Sequence, residues 1–388
     1  MTKEFIDFVH SHLNEDTSRL MLSAARYPAI DMAAAVQQIE GLRTAREKWP
    51  TLAQCRDYLY PKRLNREQSS SEETARFKRR ILLQRMKSCD RHPIVADLTG
   101  GMGIDTVALA GGFDTTFRHF QTKVEYVECD PALCSLMEHN SKALNLPQIN
   151  IHCADSMEWI AQCGYYFDLI FIDPARRDIH GNKVAAFDNC TPNILPLIGT
   201  MLSRCDLLMI KASPMMEIDK GVSQLLKVSE IHVVAVKGEC KELLFLCEKD
   251  SNEPVIHCHN IISGGTGHSH ISFTRNQETM SVCSYCDDVG TYLFEPDASL
   301  MKGGPFKLLC SLYGVHKLSK NSNLYTSDNL REWPGRIFRV LQETTLTKKS
   351  IAKAIPSGKA HVLARNFPAE AAELQRHLGL REEIEAHV

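Results

Sequence analysis

No stretch of about 18 consecutive apolar residues occurs in this 388-residue chain, which excludes a membrane-spanning helix. The N-terminus, Met1-Thr2-Lys3-Glu4-Phe5-Ile6-Asp7, lacks the basic start and apolar stretch of a secretory signal. A cytoplasmic location is the expectation these two absences leave. Charge of one sign is missing as well. Lys and Arg number 45 against 47 Asp and Glu, so the balance of −2 predicts no partner for the molecule as a whole. A cysteine framework is also absent. The 14 cysteines are scattered singly through apolar segments, as at Cys129, Cys134, Cys153, Cys163, Cys190, Cys205 and Cys247, the pattern of reduced, buried thiols. The one C-x-x-C, Cys283-Ser284-Tyr285-Cys286, follows His257, Cys258, His259, His268 and His270 without the disciplined spacing of a zinc motif. Those histidines alternate as if along strands. No metal site is therefore predicted, although segment 257–286 contains residues from which one could be assembled.

What is present is a globular composition, 44% hydrophobic and 24% charged, in a chain long enough for two or three domains. Between Ile94 and Pro174 four features follow one another in register. The strand-like run Ile94-Val95-Ala96-Asp97-Leu98 breaks into Thr99-Gly100-Gly101-Met102-Gly103. Glu128 closes the apolar run 124–127. Asp155, followed by Ser156, comes after Ile149-Asn150-Ile151-His152-Cys153-Ala154. Asp173-Pro174 follows Phe167-Asp168-Leu169-Ile170-Phe171-Ile172.

Each feature stands at the carboxyl end of a predicted strand, where doubly wound sheets bind ligands. Glycines in the first turn let a ligand approach the backbone. Glu128 lies 25 positions after Gly103, near the roughly 20 expected for an acid that accepts from ribose hydroxyls. An acid on the third strand can accept from an adenine amino group. A plain Gly-containing turn would account for one feature but not for four in register. A nicotinamide-dinucleotide site would want G-x-G-x-x-G, and position 106 is Thr.

The run Asp97-Leu98-Thr99-Gly100-Gly101-Met102-Gly103 resembles motif I of class I S-adenosylmethionine-dependent methyltransferases, with Thr99 in place of the commonest first glycine. The resemblance implies a Rossmann-like α/β fold with a seven-stranded sheet. It also implies S-adenosyl-L-methionine as cofactor, held by Asp97, Thr99, Gly101, Gly103, Glu128, Asp155 and Ser156. Asp173-Pro174 then opens motif IV, which makes Asp173, Pro174 and Arg176 the candidate catalytic residues.

The flanking segments place other domains around this one. Residues 1–90 read as a helical region: Phe5, Phe8, Val9 and Leu13 keep helical spacing, 33–42 repeats it, and Trp49-Pro50 stops it. A polar break at 61–71 precedes a helix with Ser71 as N-cap, Thr74 at N3, and Glu72 and Glu73 in its first turn. Its basic residues, Arg76, Lys78, Arg79, Arg80, Arg85 and Lys87, are expected on a solvated face. Residues 91–250 form the methyltransferase domain, with strands near 94–98, 124–128, 149–153, 167–172 and 205–210. An antiparallel pair, 231–236 and 242–247, is joined by Lys237-Gly238-Glu239-Cys240-Lys241.

Residues 251–330 are expected to form a small α+β domain of ferredoxin-like type. Within it a strand from Tyr292 to Asp297 precedes a helical stretch, 299–313, broken by Gly303-Gly304. Residues 331–388 follow as a β-α-β-α unit: strand 336–341, helix 348–355, strand 359–364 and helix 369–378. A further closing strand would be expected where the chain stops at Ala386-His387-Val388. Residues 331–365 hold eight basic residues (Arg331, Arg336, Arg339, Lys348, Lys349, Lys353, Lys359, Arg365) against Glu332 and Glu343, a candidate phosphate-binding face.

Glu67-Gln68-Ser69-Ser70-Ser71-Glu72, Asp173-Pro174-Ala175-Arg176-Arg177 and Tyr292-Leu293-Phe294-Glu295-Pro296-Asp297-Ala298-Ser299 narrow the resemblance. They are similar to segments of bacterial methyltransferases that carry a THUMP-like C-terminal domain. That implies RNA, a tRNA or rRNA base, as the substrate class. Motif IV departs from the [DN]-P-P-[FY] of amino-directed nucleic-acid enzymes, since Ala175 and Arg176 replace the second proline and the stacking ring. Arg176 and Arg177 could pair with a phosphate through their planar forks, or with Asp178. Uridine C5 chemistry needs a cysteine after the fifth strand, where Lys211-Ala212-Ser213-Pro214 has none. A small-molecule methyltransferase and a cofactor-binding protein without turnover are the alternatives.

Overall fold

The computed structural model describes residues 2–86, 91–114, 122–175, 186–262, 267–286 and 288–382. The chain divides into two compact units, Met1–Pro254 with Ile261–Gly267, and Val255–Asn260 with His268–Val388.

The first unit begins with helices Lys3–Ser11, Thr17–Leu22, Met32–Lys48, Arg63–Gln68 and Glu72–Arg85. Thr2, Asp16, Asp31 and Ser71 cap four of them by accepting from Phe5 N, Arg19 N, Ala34 N and Thr74 N. Each side chain satisfies one of the backbone donors that a helix start leaves unpaired. Two expectations are corrected here. The polar break at 61–71 contains helix Arg63–Gln68, anchored by buried Arg66, whose Nη2 lies 3.3 Å from Glu40 Oε2. The basic helix Glu72–Arg85 is not simply a solvated face, because Lys78 and Arg79 are 0% and 2% exposed. Tertiary pairing, of Lys78 with buried Asp105 and Glu242 and of Arg79 with half-buried Asp114, decides where these charges go rather than local composition.

The strands of this unit are β1 (Ile94–Asp97), β2 (Lys123–Glu128), β3 (Ile149–Cys153), β4 (Phe167–Ile172), β5 (Cys205–Ala212), β6 (Val228–Val236) and β7 (Glu239–Cys247). They lie in the order β3-β2-β1-β4-β5-β7-β6. The first five are parallel, and β7 runs antiparallel to both neighbours. These seven strands make the α/β sheet expected from the sequence. The β6–β7 connection is shorter than anticipated, since Val236 already pairs with Glu239 across Lys237-Gly238. Central strand β4 is buried along its whole length, as helices on both faces of a parallel sheet require. Asp168 within it is tolerated because Arg91 Nη1 and Ile94 N both donate to its Oδ2 at 2.8 Å. The chain reverses its order between β1 and β4, which opens a crevice at their carboxyl ends.

In the second unit β8 (Val255–Ile262) and β9 (Gly267–Thr274), whose adjoining ends belong to the first unit, are sheet neighbours. Another sheet, ordered β11-β12-β10-β13, contains β10 (Tyr292–Pro296), β11 (His316–Lys317), β12 (Tyr325–Ser327) and β13 (Gly335–Arg339). Trp333 anchors its core, ringed by Phe294, Tyr313 and Tyr325, with Nε1 donating to Glu295 O at 3.0 Å. Strand β13 pairs with β10, so the segments before and after residue 331 share one sheet. Helices Lys348–Ala354 and Ala371–Leu378 match the expected β-α-β-α unit, but 359–364 forms no strand. Only a bridge between Lys359 and Arg381 stands there. No helix among the described residues is long and apolar enough to cross a membrane.

Candidate active site

The crevice is built by four segments, at the carboxyl ends of β1, β2, β3 and β4, that bond to one another. After β1 the chain turns through Thr99-Gly100-Gly101-Met102-Gly103 into helix Ile104–Leu109. A Cβ on Gly100 would lie 2.2 Å from the Tyr126 ring, so this position needs glycine for close packing. Gly101 differs. Its φ of +54 favours glycine, yet a Cβ there would meet nothing nearer than Thr99 O at 3.7 Å. The backbone at Gly101 thus faces open space. Tyr126 Oη donates to Gly101 O at 2.6 Å and holds the turn from beneath.

Asp97 is buried under this turn. Thr99 N and Thr106 Oγ1 donate to its carboxylate at 3.1 and 2.6 Å. Burial outweighs those bonds and pushes its pKa up to about 7. Glu128, half-buried at the end of β2, accepts from Gly101 N through Oε2 and from Asp130 N through Oε1, at 2.8 and 2.9 Å. Two carboxylate oxygens offer about four lone-pair sites, so this acid retains acceptor capacity toward the crevice. At the end of β3, Asp155 caps helix Ser156–Gln162 by accepting from Met157 N and Glu158 N, both at Oδ1. Asp155 and Ser156 therefore stand at a helix N-terminus beside the other two loops, with Ala154 N donating to Glu128 O at 3.0 Å.

After β4, Asp173 N donates to Thr99 Oγ1 at 2.7 Å, which couples the loop of β4 to the loop of β1. Its carboxylate pairs with Lys211 Nζ from β5. Pro174 is buried beside it, and Ala175 forms an antiparallel bridge with Thr191. Arg176, expected to be catalytic, lies outside the described residues, as do Arg177 and Asp178.

Sequence reasoning missed the ionic layer behind this site. Lys211 is 3% exposed although it lies within the apolar strand β5. Lys78 approaches Asp105 Oδ1 at 3.0 Å and Glu242 Oε1 at 2.8 Å, and Ser70 Oγ donates to Asp105 Oδ2 at 2.7 Å. The partners hold Lys78 protonated despite its burial, and Lys78 with Lys211 lowers the pKa of Asp105 against its own burial. Lys48, partly desolvated and near Lys211, is lowered to about 8. One signal was available: a buried lysine directly after the apolar run 207–210 of a parallel strand is costly unless paired.

The fold is that of a methyltransferase. Over 98% of its length the chain is similar to a candidate methyltransferase from Porphyromonas gingivalis W83, covering 92% of that chain at 29% identity with a TM-score of 0.82. Residues 292–334 match a ferredoxin-like domain family, and residues 335–388 match a family described as THUMP domain-like. The protein is thus a methyltransferase with a THUMP-like C-terminal domain. More distant similarity extends to a candidate class I S-adenosylmethionine-dependent methyltransferase from Listeria monocytogenes, at 12% identity over 69% of this chain and 95% of that one, TM-score 0.38. It also extends to an rRNA methylase from Streptococcus thermophilus, at 16% identity over 45% of this chain and 94% of that one, TM-score 0.32. No curated protein matches the sequence significantly.

Proposed function

We propose that this protein transfers a methyl group from S-adenosyl-L-methionine to RNA, using the crevice at the carboxyl ends of β1, β2, β3 and β4. The observation that carries the reading is the mutual bonding of Thr99, Gly101, Glu128 and Asp173 at the reversal of strand order. The residues fit the cofactor. The open backbone at Gly101 can take a ligand pressed against it, Glu128 has lone pairs for ribose hydroxyls, and Asp155 with Ser156 suits the adenine end. Asp97, Thr99 and Gly103 shape the loop that would hold it.

When bound, S-adenosyl-L-methionine supplies an activated methyl on a sulfonium; the protein supplies orientation. Asp173 accepts a hydrogen bond from the acceptor's N–H or O–H and aims its lone pair into the crevice. Lys211 acts as a positioning residue that holds the Asp173 carboxylate in place. Pro174 stiffens the loop, and Arg176 is retained as a candidate phosphate contact.

RNA as the acceptor is supported by the THUMP domain-like match and by the exposed cations Lys348, Lys349, Lys353 and Lys359. Arg336 and Arg365 contribute less to such a face than their number suggests, because both pair with Glu295. The test is incubation of the full chain with radiolabelled methyl donor, total RNA and a metabolite extract. Label in the RNA fraction is expected. Label confined to small molecules would overturn the RNA assignment, and cofactor binding without transfer would overturn catalysis.

A further inference from the structure

Four of the 16 histidines in the chain stand together on β8 and β9, in the second unit and outside the methyl-transfer site. His257 and His259 are two apart on β8, and His268 and His270 are two apart on β9. Residues at i and i+2 of a strand share a face, so each pair projects the same way. Cross-strand contacts show that the two pairs meet. His257 Nδ1 lies 3.1 Å from His270 Nε2, and His259 Nδ1 lies 3.1 Å from His268 Nε2. The His259 and His270 rings stack with centroids 4.4 Å apart.

We propose that His257, His259 and His270 form a site for a divalent transition-metal ion of the zinc type, with His268 as the residue that orients His259. One ligand atom from each of the three lies within 4.8 Å of those of the others. Two imidazole nitrogens on a tetrahedral zinc at about 2.0–2.1 Å stand roughly 3.3 Å apart, close to the cross-strand spacing seen here. The ring torsion of histidine is broad, so small rotations turn stacked nitrogens onto one point. His268 contacts the second nitrogen of His259, as outer partners of metal-bound imidazoles do. Imidazole donors suit zinc, copper and nickel rather than magnesium or calcium. His259 is buried while His270 is exposed, so the site is rooted in the sheet and open on one side for a water or further ligand. No cysteine takes part, which separates this site from the C-x-x-C at Cys283 and Cys286.

The experiment uses the untagged full-length protein, titrated with zinc by calorimetry and with cobalt by absorption spectroscopy. One equivalent of tight binding is expected, with a cobalt spectrum lacking thiolate charge transfer. The His259→Ala/His270→Ala double variant should lose that equivalent, and His268→Ala should weaken it by about 10–100-fold. Circular dichroism checks that each variant folds. If the double variant does not, exposed His270→Ala alone decides, with at least a tenfold loss expected. Absence of a stoichiometric site in the wild type, a thiolate cobalt spectrum, or undiminished affinity in the folded histidine variants would overturn the proposal.

Discussion

Thr99 Oγ1 accepts a hydrogen bond of 2.7 Å from Asp173 N, so the loops after β1 and β4 behave as one piece across the crevice. The commonest residue of the resembling motif, glycine, could not make this bond. Thr99→Val keeps the shape and removes the acceptor, leaving a partly buried N–H unpaired. Equilibrium urea unfolding should show a loss of about 1–3 kcal/mol. An unchanged midpoint would show that water replaces the threonine without cost.

Cofactor binding is expected to depend on Glu128 and Gly101. Glu128→Ala should weaken S-adenosylmethionine by about 1.5–3 kcal/mol through lost charge-assisted hydrogen bonds. Gly101→Val combines a β-branched residue at positive φ with occupation of the open backbone face, and should abolish binding. Calorimetry on both variants checks this, and wild-type affinity in either would remove that residue from the site.

Chemistry should separate from binding at the Asp173–Lys211 pair. Asp173→Ala and Lys211→Met are each expected to lower methyl transfer by at least about tenfold while cofactor affinity changes little, because their effect strengthens in the transition state. Asp173→Asn should recover part of the loss by retaining a carbonyl acceptor. Normal turnover in the Asp173 variants would take that residue off the catalytic list.

Burial gives Asp97 a distinctive pH signature. Its folded pKa of about 7 exceeds the ordinary 3.8, so the folded state favours its protonated form. The stability this contributes is fully present below about pH 4 and is lost as pH rises toward 7. Asp97→Asn carries no such titration and can keep both hydrogen bonds. Relative to wild type it should therefore gain roughly 2–4 kcal/mol between pH 4 and pH 8, as read by chemical denaturation of the ligand-free protein. A parallel pH profile for the two proteins would contradict the assignment.

RNA capture is expected to be electrostatic. The slope of log K against log salt should be about −0.7 per phosphate contact on single-stranded segments. Reversing Lys348, Lys349 and Lys353 to Glu should weaken RNA binding across sequences and leave S-adenosylmethionine affinity unchanged. Because Arg336 and Arg365 are engaged by Glu295, replacing them should matter less than the lysine reversal. Filter binding over a salt series tests both statements, and a flat salt response would exclude this face as the RNA contact.

The sequence by itself determined the α/β sheet, its order of loops and the positions of Asp97, Glu128, Asp155 and Asp173. Those features depend on local signals: apolar runs of strand length, glycines in a tight turn, and acids at strand ends. Helix starts were legible for the same reason, as Ser71 shows, because a cap bonds to residues two or three positions away. Tertiary structure alone decided which charges face water. Lys78 and Arg79 sit in a helix whose composition looks solvated, yet partners 27 to 164 positions distant draw Lys78 inward. Lys211 likewise becomes part of the site only through Asp173, and the four histidines meet only because β8 and β9 pair. Pairing of buried charges and cross-strand contacts depends on distance in space. Spacing along the chain does not carry that information.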